Sequence, residues 1–391
     1  MKEWQKLGFM LAVFLAAYYI PFDHPAVGGA ILEAFHMLQE YAREHVLFCL
    51  IPAFFIAGAI ANFISQASVI KYFGGQAKRW LAYSVASVSG TVLAVCSCTV
   101  LPLFAGIYRR GAGIGPATAF LYSGPAINIL AIILTARILG WQMGLARAVG
   151  AVIFAFVVGM GMAYFCRHEE AERVSSSSFD MDSQEQERRN PGQTLLYFAT
   201  LVLLLIFAAW GRPAEAVGVW QAVYNMKWYA TGFLLLILAY MLVNWFDREE
   251  KVSWVQATWG FSKQILPLLF AGVLVAGFLM GRPETEAGII PGEYVAALVG
   301  GNSLLANMIA SVIGSFMYFA TLTEVPILQG LMGAGMGSGP ALALLLAGPA
   351  LSLPNMLVIR SVIGTRNTLV FVSLVVVMAT ISGLVFGWIM A

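Results

Sequence analysis

The sequence predicts an all-α, polytopic membrane protein, with about 10–11 transmembrane segments in two internally repeated halves and with broken or re-entrant helices. Hydrophobic residues make up 60% of the 391 residues and charged residues only 11%, whereas a soluble domain carries about 25% charged residues. Apolar runs recur at the length of about 20 residues that a membrane helix needs. A pattern of glycine and proline also recurs between the two halves.

The apolar runs are continuous and lack the alternation of a membrane β-barrel, so each is predicted to be helical. They lie near residues 7–22, 46–65, 81–106, 115–137, 144–166, 194–211, 228–246, 262–281, 295–320, 339–361 and 368–390. Some of these runs are expected to be broken or re-entrant rather than simple spans.

Two hydrophilic stretches interrupt this pattern. Residues 23–45 show apolar side chains at helical spacing among several charges, which predicts an amphipathic helix along the membrane surface. Residues 167–193 combine mixed charge with a serine run and cannot bury a core, which predicts a flexible hydrophilic linker. The predicted domains are therefore residues 1–166, a first membrane repeat with its N-terminal span and interfacial helix, and residues 194–391, a second membrane repeat.

The internal repeat has one fixed offset. The segment TVLPLFAGIYRRGAGIGPATAFLYSGPAINI from Thr99 aligns without a gap with TEVPILQGLMGAGMGSGPALALLLAGPALSL from Thr323, 224 residues later. The matched pairs are Pro102 and Pro326, Gly106 and Gly330, Gly111 and Gly335, Gly113 and Gly337, Gly115 and Gly339, Pro116 and Pro340, Gly124 and Gly348, and Pro125 and Pro349. Close helix packing alone would explain the glycines but not the matched prolines.

Proline within a helix lacks the N–H that would bond to the carbonyl four residues earlier. Pro102 would free the carbonyl of Cys98, and Pro326 that of Leu322. Unpaired backbone groups at membrane depth are tolerated only inside protein or beside a water-filled cavity. Interruptions at matching positions of two halves therefore predict a transporter's binding site.

The distribution of basic residues favours inverted repeats, with parallel repeats as the alternative. If residues 81–106 form a hairpin that returns to the same side, Arg109 and Arg110 remain on the cytoplasmic side, as the positive-inside rule asks. If residues 81–106 instead cross once, this basic pair lies outside. The hairpin is therefore the favoured prediction.

The triplet Cys96-Ser97-Cys98 is the local motif that points to the most specific chemistry. Thiolates are soft ligands for copper(I), zinc and similar thiophilic ions, so Cys96 and Cys98 are the candidate metal ligands. Residues two apart on a regular helix point to nearly opposite faces, so both sulfurs meet one solute only if the helix is interrupted. The alternative is that both cysteines are small buried hydrophobic residues.

Glu324 lies in a long stretch without other charges, and an intramembrane carboxylate is a functional candidate by default. We predict that it couples transport to protons and approaches Cys96 and Cys98 from the other half; the alternative is a water-exposed loop end. Arg147 is expected to extend from a helix end to the membrane surface. The predicted solute-binding residues are Cys96, Cys98, Thr99, Pro102, Ser123, Asn128, Thr323 and Asn355, although each polar one also suits an interhelical hydrogen bond.

Several signatures of enzymes and of nucleic-acid-binding proteins are missing from the sequence. It has no GxxxxGK[ST] phosphate loop, HExxH zinc motif, GxSxG elbow or CxxC pair, so neither an enzyme nor a cofactor is expected. A net charge of +2 gives no basic field for nucleic acid. The expected partners are the lipid bilayer and a small solute, and a homo-oligomer is left open.

The stretch CSCTVLPLFAGIYRRGAGIGPATAFLYSGPAINILAI, Cys96–Ile132, resembles the predicted permease family that includes the ArsP-type organoarsenical exporters. The resemblance rests on the Cys-Ser-Cys triplet, Pro102, the glycine-rich turn and the segment Ala119–Pro125. It implies a multi-pass permease of the inner membrane with paired repeats, and it implies that Cys96 and Cys98 handle a trivalent arsenical. The sequence departs from those exporters at Arg109–Arg110 and at Gly124–Asn128.

The favoured function is therefore a secondary, proton-coupled permease that exports a thiophilic metal, metalloid or organometalloid. One alternative is a channel or carrier for another small solute or anion, with helix N-termini binding the charge and no thiol role. A membrane-embedded enzyme or a scaffold subunit is the remaining alternative. The sequence does not name the solute.

Overall fold

A computed structural model describes residues 10–11, 14, 18, 24–63, 82–87, 97–127, 129–167, 170, 191–210, 219–281, 288–289, 298–317, 324–333 and 335–390. At some helical positions, including Cys98 and Pro326, it describes the backbone only. The span predicted at 7–22 and the linker predicted at 167–193 lie largely outside these residues. The proposed domain boundaries therefore stay predictions.

The described elements are helices. They are α1 (Pro25–Tyr41), α2 (Ile51–Phe63), α3 (Ser97–Arg109), α4 (Ile114–Ala126), α5 (Ile129–Ile138), α6 (Trp141–Phe165), α7 (Pro191–Ala208), α8 (Val219–Asn244), α9 (Arg248–Met280), α10 (Leu304–Phe316), α11 (Glu324–Gly333), α12 (Ser338–Leu351) and α13 (Leu353–Met390). A π-helical segment, Ala42–Leu50, joins α1 to α2. Within the described residues, the one β-type pairing is an isolated bridge between Gly300 and Met336.

Four described helical stretches are long and apolar enough to cross a membrane: Trp141–Phe165, Gln221–Asn244, Arg248–Leu279 and Leu353–Met390. The number rises to six if each of two bent pairs, with bends of 48° and 45°, counts as one span. The all-α membrane class is thereby confirmed. The total of about 10–11 segments extends over residues outside the described ranges and stays a prediction.

The repeat seen in the sequence is also present in the backbone. Helix α4 begins at residue 114 and α12 at 338, while α5 begins at 129 and α13 at 353, so both pairs keep the offset of 224. Positive φ angles recur at the same offset, at Gly111 (94°) and Gly335 (109°), and at Gly140 (99°) and Gly364 (81°). Gly364 divides α13 as Gly140 divides α5 from α6. Two repeated halves with broken helices are therefore confirmed.

Several of the repeated helices are too short to cross a bilayer. Helices α4, α10 and α12 have 13 or 14 residues, which corresponds to about 20–21 Å at 1.5 Å per residue. The hydrocarbon core of a membrane is about 30 Å thick. None of these three helices is therefore long enough to cross that core alone.

The half-length helices α4 and α12 form the centre of the molecule, because every residue of α4 and nearly the whole of α12 is buried. Each crosses a long helix of its own repeat at a pair of glycines. A Cβ atom on Gly159 of α6 would lie 2.9 Å from the carbonyl oxygen of Gly115, and one on Gly383 of α13 would lie 2.6 Å from that of Gly339. These crossings leave no room for a side chain.

The prolines lie inside helices, as the broken-helix prediction requires for Pro102. Pro125, Pro267 and Pro349 occupy internal positions of α4, α9 and α12. Pro326 is instead the third residue of α11, in the first turn, where a helix tolerates the missing N–H. Leu322, whose carbonyl Pro326 was predicted to free, lies outside the described residues.

Candidate functional site

The two repeats meet where α4 contacts α12. The hydroxyl of Tyr122 donates a hydrogen bond of 3.1 Å to the backbone carbonyl of Leu346. These residues are 224 positions apart and so occupy equivalent places in the two halves. Contact between equivalent positions is what a two-fold relation between repeats produces. The membrane orientation of the repeats, inverted or parallel, stays a prediction.

A buried ion pair lies beside this contact and joins the two repeats. Nη2 of Arg147, on α6, donates to Oε1 of Glu324, the first residue of α11. The side chains are 0% and 1% exposed. Nη1 of Arg147 also donates to Oγ1 of Thr135 on α5, at 3.0 Å. One guanidinium group therefore connects three helices from both halves of the chain.

The arginine is not fully satisfied by these partners. A guanidinium carries five N–H donors, and Nε of Arg147 is buried without a hydrogen-bond partner among the described residues. A buried charge pair is favourable only when the geometry is good and the remaining hydrogen-bonding positions are used. This pair is therefore a costly feature, which favours a functional role over a purely structural one.

The predicted position of Arg147 at the membrane surface is wrong. Arg147 is the seventh residue of α6, about 9 Å along the helix from its start. Its partner lies 177 residues away in the sequence, in the other repeat. The charge therefore stays inside the protein because folding brings a carboxylate to it. The one sequence signal was a basic residue within the apolar run 144–166.

The ion pair between Arg147 and Glu324 has no counterpart at the equivalent positions of the two repeats. At the offset of 224, Arg147 corresponds to Phe371 and Glu324 corresponds to Val100. Phe371 is 0% exposed and Val100 1% exposed, so the corresponding places in the other repeat are buried and apolar. The duplicated backbone therefore carries a single charged site.

Three further predicted solute-binding residues are described and buried. Thr99 lies in the first turn of α3 and is 1% exposed. Ser123, on α4, has its hydroxyl 3.1 Å from the carbonyl oxygens of Ala86 and Phe120. Pro102 lies inside α3, in its buried part. Ser123 thus forms the kind of interhelical hydrogen bond that was the alternative to solute binding.

Asn355 differs from Ser123, because it lies at the break between α12 and α13. Its side chain is 3% exposed. Ser352, the residue at the break itself, is buried, and its hydroxyl has no partner in the described part of the chain. Ser352 corresponds to Asn128 at the repeat offset. Both breaks therefore carry a polar residue at the same position.

The profile of the ArsP_1 family, described as predicted permeases, matches residues 31–388. The chain belongs to this permease family. The resemblance inferred from Cys96–Ile132 is thereby confirmed. A multi-pass membrane permease also agrees with the broken helices and with the buried polar groups at their ends.

The permease is similar to two proteins that carry the name UPF0718. It is 44% identical over 352 residues to the UPF0718 protein MJ0584 of Methanocaldococcus jannaschii, which covers 89% of the permease and 93% of that protein. It is 22% identical over 293 residues to the UPF0718 protein YraQ of Escherichia coli. The aligned region covers 75% of the permease and 63% of YraQ. No solved structure matches the permease.

The remaining predicted site residues of the permease cannot be placed as side chains. Cys96, Asn128 and Thr323 lie outside the described residues, and Cys98 is described as backbone in the first turn of α3. Among the described residues, no group of three histidine, cysteine, aspartate or glutamate side chains is arranged to hold a metal ion. A thiol site at Cys96 and Cys98, and its approach to Glu324, therefore stay predictions.

Proposed function

We propose that the permease is a secondary, proton-coupled transporter that exports a thiophilic metal, metalloid or organometalloid across the cell inner (cytoplasmic) membrane. The observation that carries this proposal is the buried ion pair between Arg147 and Glu324, which joins the two repeats beside their broken helices. Secondary transporters place their sites at the interface of paired repeats, among discontinuous helices.

Proton coupling rests on the position of Glu324. The carboxylate starts α11 in the second repeat and pairs with α6 of the first repeat. Proton uptake by Glu324 removes its negative charge and with it the attraction to Arg147. Alternating access requires one repeat to move against the other. A proton on Glu324 is therefore a chemical event that loosens a direct connection between the moving parts.

The thiophilic solute rests on the Cys96-Ser97-Cys98 triplet. The described helix α3 begins at Ser97 and contains Pro102, so the carbonyl of Cys98 lacks the N–H donor of a regular helix. A helix whose hydrogen bonding is interrupted at this point need not direct the two cysteines to opposite faces. Thr99 and Pro102 are buried next to this position, and Ser123, Asn128, Thr323 and Asn355 are the proposed polar contacts for the solute.

The test is the accumulation of phenylarsine oxide, a trivalent arsenical, in inside-out membrane vesicles that contain the full-length permease. Export from the cell corresponds to uptake into such vesicles. The double variant Cys96→Ser, Cys98→Ser is expected to fall to the level of vesicles without the permease. The matched control is Cys166→Ser, because Cys166 is buried at the end of α6, outside the triplet.

A second arm imposes an inward or outward pH gradient on the same vesicles, with wild-type protein and with Glu324→Gln. Uptake that responds to the gradient in the wild type alone supports proton coupling. Full uptake by the double cysteine variant would remove the thiol role. It would favour the alternative, a channel or carrier for another small solute or anion, for which the unpartnered Nε of Arg147 is the supporting observation.

A further inference from the structure

Arg147 is used incompletely by its own carboxylate partner. A carboxylate that pairs with arginine in the strongest geometry accepts two parallel N–H bonds from the guanidinium edge. Glu324 accepts from Nη2, and the buried Nε has no partner among the described residues. The edge formed by Nε and Nη2 therefore matches an oxygen anion that binds with both of its oxygens better than it matches Glu324.

From these contacts we infer that the edge of Arg147 formed by Nε and Nη2 is a binding site for an anionic oxygen group on the transported solute, such as a carboxylate, and that Glu324 occupies this site when no solute is bound. This inference rests on the proposed function, because it deepens the description of the solute. The solute is then thiophilic at one end and anionic at the other.

The buried positive charge of Arg147 needs a negatively charged partner, which is either Glu324 or the anion of the solute. A guanidinium group that is 0% exposed is strongly disfavoured without a negative partner. When the solute anion binds Arg147, Glu324 leaves it and takes a proton from water onto a carboxylate oxygen. When the solute leaves, Glu324 releases that proton and pairs again. One proton therefore travels with each anion, in the same direction, and no other bond forms or breaks.

The surroundings contain no other described group that would supply this negative charge. Tyr122 on α4 interacts electrostatically with Arg147, and its hydroxyl donates to the carbonyl of Leu346. The described charged residues on the packed helices α5 and α13 are basic and exposed: Arg137, Arg360 and Arg366. Among the described residues around Arg147, Glu324 is therefore the one carboxylate.

The test compares two probes in inside-out vesicles and in binding to the detergent-purified full-length permease. The first probe is 4-carboxyphenylarsine oxide, and the second is phenylarsine oxide, which lacks the carboxylate. The wild type is expected to bind the carboxylated probe more tightly, and its affinity for that probe should rise by up to about tenfold for each unit that the pH falls, because one proton binds with each anion. The affinity for phenylarsine oxide should depend less on pH, because this probe has no carboxylate to displace Glu324 from Arg147 when it binds.

The variant that tests the site is the double substitution Arg147→Gln, Glu324→Gln, which removes both charges and leaves neither one unpaired. It is expected to bind the two probes equally and to lose the pH dependence, while still binding phenylarsine oxide. Arg137→Gln is the matched control, because it removes an exposed arginine from the end of α5, and it should keep the wild-type preference.

The outcomes separate this inference from the proposed function. Cysteine-dependent uptake of phenylarsine oxide with no preference for the carboxylate and no pH dependence would overturn the anion site alone. Absence of cysteine-dependent uptake for both probes would overturn the proposed function and the inference with it. The pH dependence of the wild type needs no variant, so the inference is tested even if the double variant does not fold.

Discussion

In the first repeat, Tyr83 packs against the crossing of Gly115 and Gly159, and its hydroxyl lies 3.4 Å from the carbonyl oxygen of Gly159. In the second repeat, the equivalent place is taken by Asn307, which packs against the crossing of Gly339 and Gly383. The glycines are the same because both crossings bring helix backbones into direct contact. The side chain that fills the space beside them has changed from a phenol to an amide.

The charged site shows the same division between backbone and side chains. Arg147 corresponds to Phe371, and Glu324 corresponds to Val100. Each repeat therefore contributes one charge at a place where the other repeat is apolar. The duplicated backbone therefore provides the broken helices in both repeats. The divergence of a few side chains provides a single charged site between the two halves.

The largest expected effect follows from making the second repeat resemble the first at Glu324. Glu324→Val introduces the residue found at Val100 and leaves the buried Arg147 without its carboxylate. Loss of one partner of a buried pair costs about 3–5 kcal/mol of folding free energy. The measurement is unfolding of the purified variant by SDS in mixed micelles.

The double variant Arg147→Phe, Glu324→Val makes both positions match their counterparts. It is expected to recover most of the lost stability, since an apolar pair replaces the ion pair, but to have no transport. A double variant as unstable as Glu324→Val alone would contradict the assignment of the loss to an unpaired charge.

An intermediate effect is expected at the two glycine crossings. A Cβ atom on Gly159 would lie 2.8 Å from Cε1 of Tyr83 and 2.9 Å from the carbonyl oxygen of Gly115. Gly159→Ala and Gly383→Ala should each destabilise the permease by about 1–3 kcal/mol, the usual cost of overpacking. The same unfolding assay measures this loss.

Gly232→Ala is the control for that series, because no atom lies within 4 Å of a Cβ at this position in the middle of α8. It should be neutral or slightly stabilising, since alanine favours a helix by up to about 1 kcal/mol over glycine. Equal losses at all three positions would show that the crossings are not special.

The smallest expected effect concerns the contact between equivalent residues. Tyr122→Phe removes the hydrogen bond to the carbonyl of Leu346 and should cost about 0.5–1.5 kcal/mol. Tyr229→Phe, on an exposed side chain of α8, should change the unfolding free energy by less. A loss at Tyr229 as large as that at Tyr122 would argue against a contribution of this contact between the repeats.

Much of the fold could be predicted from the sequence, because its signals are local. The apolar runs predict helices, and the matched glycines and prolines predict where the helices break. In the structure, the breaks at Gly140 and Gly364 lie between the apolar runs predicted at 115–137 and 144–166 and at 339–361 and 368–390, and Pro102 lies inside α3. The amphipathic stretch at 23–45 contains α1, Pro25–Tyr41, which packs against α9 near Gly277. Its location at the membrane surface stays a prediction.

The candidate site was predicted only in part. Glu324 was identified from its isolation among apolar residues, and its burial, at 1% exposed, is confirmed. The water-exposed alternative is thereby wrong. Its approach to Cys96 and Cys98 stays a prediction, since the partner found among the described residues is Arg147. No local pattern connects Glu324 with Arg147, because the two lie 177 residues apart in different repeats.

The sequence by itself determined the membrane class, the repeat and the breaks, since hydrophobicity and the backbone chemistry of glycine and proline act within a few residues. Only the tertiary structure decided which polar groups meet. A lone arginine in an apolar run is consistent with a surface position or with a buried one. The choice depends on whether a counter-charge from elsewhere in the chain reaches it, and that depends on how the two repeats pack.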